Sequence, residues 1–256
     1  MLPDFERRGR DGPLLPGKDP SPFWTFYDEV ARHQLHEWLP HRRSRILDLS
    51  RGPGRHSANM AAEGHDVIRL VDDPRKSTLI AEPARPDVSP VIAESFPTRW
   101  IADGCVDGVV AESGALSAHL AAEDVLLSIR RMLAPGGRLL LCVDSLGLGL
   151  SRLAEQSRWA ELADVPSADV VLIPHEDGSI TRCFWPEELA DDLDDSGFAV
   201  EWIRPRTVLS REAVERALRE DASSLASLVD AEVALSRERE GESIGIHLVA
   251  SARRRG

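Results

Sequence analysis

Residues 46–67 read ILDLSRGPGRHSANMAAEGHDV, and they carry the clearest chemical signal in the chain. A short apolar run brings Asp48 to the end of a strand, Gly52 and Gly54 punctuate a tight loop, and a helix from about His56 to Glu63 stops at Gly64. Glycines in such a loop let backbone approach a ligand closely, and the N-terminus of the following helix offers unpaired N–H groups to polar or anionic atoms. A strand, glycine loop and helix in the mouth of a parallel sheet suit a nucleotide-type ligand. A plain strand-to-helix turn is the other reading. The dinucleotide pattern G-x-G-x-x-G is not met, because Ser50 and Ser57 stand where such loops carry glycine and no second mononucleotide half follows.

The elements that must position this loop follow from periodicity. Phe23 to Leu39 places Phe23, Phe26, Tyr27, Val30, Leu35, Trp38 and Leu39 at near-helical spacing until Pro40. Apolar runs at 46–49, 67–71, 89–93, 107–111 and 138–143 then alternate with helical patterns, clearest at 122–133, which stops at Ala134-Pro135-Gly136-Gly137. That alternation predicts an α/β fold, a mostly parallel sheet with helices on both faces. Beyond Asp144 the pattern predicts a helix near 150–163, a hairpin from 169–174 and 179–184, and a helix from Pro186 to Ser196. Strands at 199–209 and 244–252 flank a long charged helix at about 211–240, which suits a sheet closed by an antiparallel last strand. Residues 1–22, rich in Pro, Gly and Arg, read as an N-terminal arm. Residues 23–256 read as a single domain with insertions at about 145–185 and 210–243.

Composition sets the class. The chain has 256 residues, 42% hydrophobic, enough for one sizeable core. Forty-three acids against 31 bases give a net charge of −12, which argues against nucleic acid and anionic membrane surfaces as partners. Cys105, Cys142 and Cys183 lie far apart with no CxxC pair, as in a reduced compartment. No apolar run spans a bilayer, and the first twenty residues carry charges and prolines where a signal peptide needs an apolar stretch. The expected location is cytoplasmic. His33, His36 and His41 cluster without a second set of metal-spaced ligands, so no metal is expected. No G-x-S-x-G elbow occurs.

On these residues the chain resembles the class I S-adenosylmethionine-dependent methyltransferases, most of all their small-molecule branch, over roughly Tyr27 to Ala252. LDLSRGPGRHS is similar to the family's first motif, V-L-D-L-G-C-G-P-G-R-H-S. DGCVDGVVAESGALSAHL resembles its fourth strand and following loop, RRMLAPGGRLLL the approach to its fifth strand, and FWPEELADDLDDSGFAVEWI its next helix and strand. The resemblance implies a Rossmann-like fold, S-adenosylmethionine as cofactor and a small-molecule acceptor. It implies cofactor contacts at Asp48, Ser50, Gly52, Gly54 and His56, with Asp72 toward the ribose and Glu94 or Ser95 toward the adenine. Departures are specific: Ser50 replaces the first loop glycine, Arg51 the small residue after it, and ungapped counting puts Val71 and Ser95 where carboxylates are usual, each with an acid adjacent.

Methyl transfer mainly needs an acceptor held in line, so a general base is optional. The candidates for chemistry are His119, near its natural pKa, and Glu112, just past the fourth strand, with Tyr27 as a lid residue over the cofactor. Each also has a structural reading: a helix-capping histidine, a solvated acid, a packing tyrosine. Trp159, Trp185 and Trp202 either line an acceptor pocket or pack the core. The apolar stripe of the 211–240 helix either covers that pocket or forms a homodimer face. The alternative function is a methyltransferase-like protein that has lost methyl transfer and serves as a partner subunit, a binding protein or a cyclase-like enzyme.

Overall fold

Short apolar runs, the central ones buried on both faces, pair side by side into a seven-stranded sheet of order β3-β2-β1-β4-β5-β9-β8. The computed structural model describes residues 21–51, 55–71, 88–92, 99–168, 170–175 and 178–256. The strands are β1 (Arg45–Asp48), β2 (Asp66–Val71), β3 (Val88–Ile92), β4 (Val106–Ala111), β5 (Leu133–Asp144), β8 (Phe198–Arg206) and β9 (His247–Arg254). β1 to β5 are parallel, while β9 runs antiparallel between β5 and β8. A separate antiparallel hairpin joins β6 (Val171–Pro174) and β7 (Ile180–Cys183).

Among the described residues eight α-helices cover the sheet: α1 (Pro22–Trp38), α2 (Arg55–Ala62), α3 (Ala122–Met132), α4 (Leu146–Glu155), α5 (Trp159–Asp164), α6 (Pro186–Asp195), α7 (Arg211–Glu220) and α8 (Leu225–Glu238). The two-residue period of the strands decides which face each side chain meets. Leu47, Val109, Leu139, Leu141 and Leu248 point to one face and pack on Leu126 and Ile129 of α3 and Leu189 and Leu193 of α6. Ile46, Val67, Val110, Leu140, Cys142 and Val249 point to the other and pack on Leu35 and Trp38 of α1 and Met60 of α2. Outside α1, the stripe Val214, Val229 and Val233 of α7 and α8 buries against Phe23, Phe26 and Tyr27. That stripe is therefore used within the chain.

Three boundaries differ from expectation, each for a local reason. β5 begins at Leu133, because Leu133 pairs with Val106 and the Ala134–Gly137 turn is a bulge inside the strand. Gly136 sits at φ +73, and a Cβ on Gly137 would lie 2.9 Å from the Ala134 carbonyl oxygen, so glycine is required there. The expected helix at 211–240 breaks at Asp221, whose carboxylate accepts the Ser223 N–H and caps the next turn. The one near 150–163 breaks at Ser157, which has φ +55. No helix among the described residues is long and apolar enough to cross a membrane.

Candidate functional site

Continuing the same period past the ends of the strands puts a row of polar residues on the α1 face: Arg69 of β2, Asp48 of β1, Glu112 after β4, Asp144 of β5, His247 of β9 and Arg206 of β8. Asp48 is fully buried. Its Oδ1 accepts the Ser50 N–H at 2.9 Å, while Oδ2 accepts from the Ser57 hydroxyl and, at 3.0 Å, from Arg69. Ser50 stitches the loop to the neighbouring strand: its Oγ accepts the Glu112 N–H at 3.0 Å, and the Arg51 N–H reaches the Glu112 carbonyl at 3.3 Å. The crevice between β1 and β4 is where the strand order reverses, the usual ligand position in such sheets. Ser50 is not among the residues with positive φ, so its place in the loop needs no glycine conformation.

On the other side of Glu112 lies a buried ionic network. Arg206 donates Nη1 and Nη2 to the two Glu112 oxygens at 2.8 and 2.9 Å, Nε to Gln34 Oε1 at 2.7 Å, and Nη1 also to the Tyr27 hydroxyl at 3.1 Å. Tyr27 Oη lies 2.9 Å from His247 Nδ1 and 3.8 Å from Cys142 Sγ, and His247 Nε2 lies 3.5 Å from Asp144 Oδ1. Burial alone would raise the Glu112 pKa, but the charge and hydrogen bonds of Arg206 outweigh it and bring the carboxyl down to about 2. Burial pushes the Tyr27 phenol well above its ordinary value and the Cys142 thiol up to about 12.

The loop after β4 closes the site. Ser113 and Gly114 both adopt left-handed backbone, φ 61 and 65. A serine there stores strain that surrounding contacts must hold. Ser117 accepts the Asp144 N–H on its hydroxyl and the Arg182 N–H of β7 on its carbonyl, both at 2.8 Å, which docks the hairpin on the loop. His119 is half-buried at the loop's end, and burial, with the positive charge of Arg51, lowers its pKa. His56, in the first turn of α2, has its Nδ1 buried with no hydrogen-bond partner among the described residues.

The structure thus gathers Tyr27, Asp48, Ser50 and Glu112 at one end of the sheet, with His56 and His119 at the same mouth. Gly52, Gly54, Asp72, Glu94 and Ser95 lie outside the described residues. Glu112 is no solvated acid: both of its oxygens are filled by Arg206. Of the three tryptophans, Trp159 is 62% exposed, Trp185 packs beside α4, and Trp202 lies under Arg204 at 4.4 Å. Arg206, Gln34, Asp144, His247 and Arg69 were not singled out by sequence. His247 and Arg69 left a signal, each a polar residue inside an otherwise apolar strand. No group of three His, Cys, Asp or Glu residues among those described could hold a metal ion.

No protein-family model and no curated protein matches the chain in sequence. Solved structures do match in fold. The Burkholderia thailandensis 1,6-didemethyltoxoflavin-N1-methyltransferase, solved with 1,6-didemethyltoxoflavin and S-adenosylhomocysteine, is 20% identical over 91% of this chain and 81% of its own, with a TM-score of 0.57. An S-adenosylmethionine-dependent methyltransferase from Mesorhizobium loti is 15% identical over 89% and 100%, with a TM-score of 0.61. The [4+2]-cyclase SpnF is 18% identical over 98% and 85%, with a TM-score of 0.57. The chain has the class I methyltransferase fold, with its mostly parallel sheet and antiparallel last strands.

Proposed function

We propose that the protein is an S-adenosylmethionine-dependent methyltransferase acting on a small-molecule acceptor. The observation that carries this reading is the crevice between β1 and β4, where Asp48, Ser50 and Glu112 tie the two strand ends together beneath α1. The orphaned His56 Nδ1 at the head of α2 supports it, since a buried polar atom without a partner suits a site that a polar ligand completes. Ser50, His56 and the loop glycines Gly52 and Gly54 would hold the methionine half, Asp72 the ribose, and Glu94 or Ser95 the adenine. The cofactor supplies a methyl group made electrophilic by its sulfonium.

The chain's own contribution is position and dryness. Tyr27 projects from the buried face of α1 as part of the lid, and its hydroxyl is consumed by Arg206 and His247. Glu112 and Arg206 form a neutral pair, so the wall they build presents no net charge to a cationic cofactor. His119, half-buried at the same mouth, has its pKa lowered by burial and by the positive charge of Arg51. Calorimetric titration with S-adenosylmethionine and S-adenosylhomocysteine tests the reading. Micromolar binding of both supports it, and no binding of either overturns it.

A second reading rests on Asp48, whose oxygens are both engaged inside the protein, and on the likeness to a cyclase across nearly the whole chain. In it the fold binds the cofactor or another ligand without methyl transfer. Cofactor binding without labelled methyl appearing in any small acceptor would favour it.

A further inference from the structure

We propose that Asp144 accepts the proton of the methyl acceptor, oriented by a donor chain through Arg206, Tyr27 and His247, and that the site therefore selects acceptors carrying an O–H or N–H. This rests on the methyl-transfer reading above. The direction of the chain follows from which groups can donate. Arg206 only donates and an ionised carboxylate only accepts. Arg206 Nη1 donates to the Tyr27 oxygen at 3.1 Å, which leaves the single phenolic hydrogen for His247 Nδ1 at 2.9 Å; the Cys142 sulfur at 3.8 Å is the weaker acceptor. With Nδ1 accepting, the ring hydrogen of His247 sits on Nε2, and that nitrogen faces Asp144 Oδ1 at 3.5 Å. The last contact is longer than a good hydrogen bond, as catalytic contacts often are before substrate arrives.

Asp144 differs from the other acid of the network. Its side chain is 16% exposed, against 1% for Glu112. No described residue donates a hydrogen bond to its Oδ2. Its backbone is fixed on both sides, by Ser117 Oγ on the N–H and the Phe184 N–H on the carbonyl. Gly114 keeps the approach clear, since a Cβ there would lie 3.0 Å from Oδ1. The carboxylate stands where the end of β5, the strained loop after β4 and the β6–β7 hairpin meet. In the reaction the acceptor's O–H or N–H bond breaks, its proton passes to Oδ2, and its electron pair forms the bond to the methyl carbon. The electron pair of the broken carbon–sulfur bond stays on sulfur. His247 and Tyr27 are positioning residues here, and Asp144 is the catalytic one.

Two measurements test this. In protein labelled with ¹⁵N-histidine, with His247 assigned by H247Q, long-range proton–nitrogen spectra should show the Nε2–H tautomer in the wild type and a shifted equilibrium in Y27F. An Nδ1–H tautomer in the wild type overturns the donor chain. For chemistry, wild type, D144N and H119Q are compared with methyl-tritiated S-adenosylmethionine on a panel of small phenols, amines and carboxylic acids, the last ionised at the assay pH and so without an O–H to give up. The expected result is label in phenols or amines, a loss of at least 100-fold in kcat for D144N with cofactor Kd within threefold, and less than tenfold for H119Q. Activity of D144N within threefold of wild type, the large loss falling on H119Q, label in carboxylic acids first, or label in no member overturns the proposal. Failure of methyl transfer as such is separate: absence of cofactor binding in the wild type, or cofactor binding with label in no acceptor, overturns the methyl-transfer reading itself and the proposal with it.

Discussion

Arg206 and Glu112 face each other in two parallel hydrogen bonds of 2.8 and 2.9 Å, one side chain at the end of β8 and the other just past β4. Neither is open to solvent. Burying two charges costs several kcal/mol per ion, and only close geometry with the remaining donors satisfied offsets it. Here Gln34 and Tyr27 take two of those remaining donors, so the pair also fixes α1 over the sheet.

Removing one partner should therefore be far worse than removing both. R206M leaves Glu112 charged and unpaired in the interior and is expected to cost about 3–5 kcal/mol. The double variant R206M/E112Q should recover part of that loss. Urea denaturation at pH 7 reads the three values. A loss for R206M of under about 1 kcal/mol, or a double variant worse than the single, would show that water reaches the pair.

The same pair sets an acid limit. With its folded pKa held near 2, below the ordinary 4.5, Glu112 contributes stability that is fully present above the unfolded value and is lost as pH falls through the folded one. The stability difference between wild type and E112Q should be flat from pH 8 to about 5 and then shrink steadily toward pH 2. A difference that instead disappears on raising the pH from 5 to 8 would mean that another group governs it.

Behind Arg206 the chain passes close to itself. Gly245 has φ +79, and a Cβ there would press on the Arg206 carbonyl, 3.0 Å from its carbon and 3.2 Å from the Thr207 oxygen. Thr207 is itself left-handed at φ 70, and Glu232 holds the turn by accepting the Val208 and Leu209 N–H groups at 2.8 and 2.9 Å. G245A combines backbone strain with a clash against backbone, and about 2–4 kcal/mol of destabilisation is expected. Thermal unfolding would show it as a fall in Tm well beyond that of G178A, a glycine of similar φ with open space around it.

How far the sequence discloses all this depends on whether the cause is local. The strands were legible because runs such as ILDL and RLLLCV are apolar whatever surrounds them. Asp48 and Glu112 were legible because each ends such a run. Arg206 was not, because IRPR places Arg204 and Arg206 two residues apart with nothing local to separate them. One lies over Trp202 beside Glu240, and the other is buried beneath α1, an element about 170 residues away in sequence. The break at Asp221 is of the middle kind: Asp and Ser together signal a capped turn, but the apolar spacing carries on across it.

Ser50 offers the sharpest comparison between the two ways of reading the loop. As a departure from a glycine motif it suggests an obstructed ligand path, and reverting it would then tighten binding. The geometry argues the reverse, because Ser50 has ordinary backbone and its Oγ holds the Glu112 N–H at 3.0 Å in a buried position. S50G frees that N–H and adds chain entropy to the unfolded state, so a loss of about 1–2 kcal/mol is expected, with S-adenosylmethionine affinity unchanged or weaker. Calorimetry and urea denaturation on the one variant decide it. A tenfold gain in affinity at unchanged stability would mean that the serine obstructs the site rather than braces it.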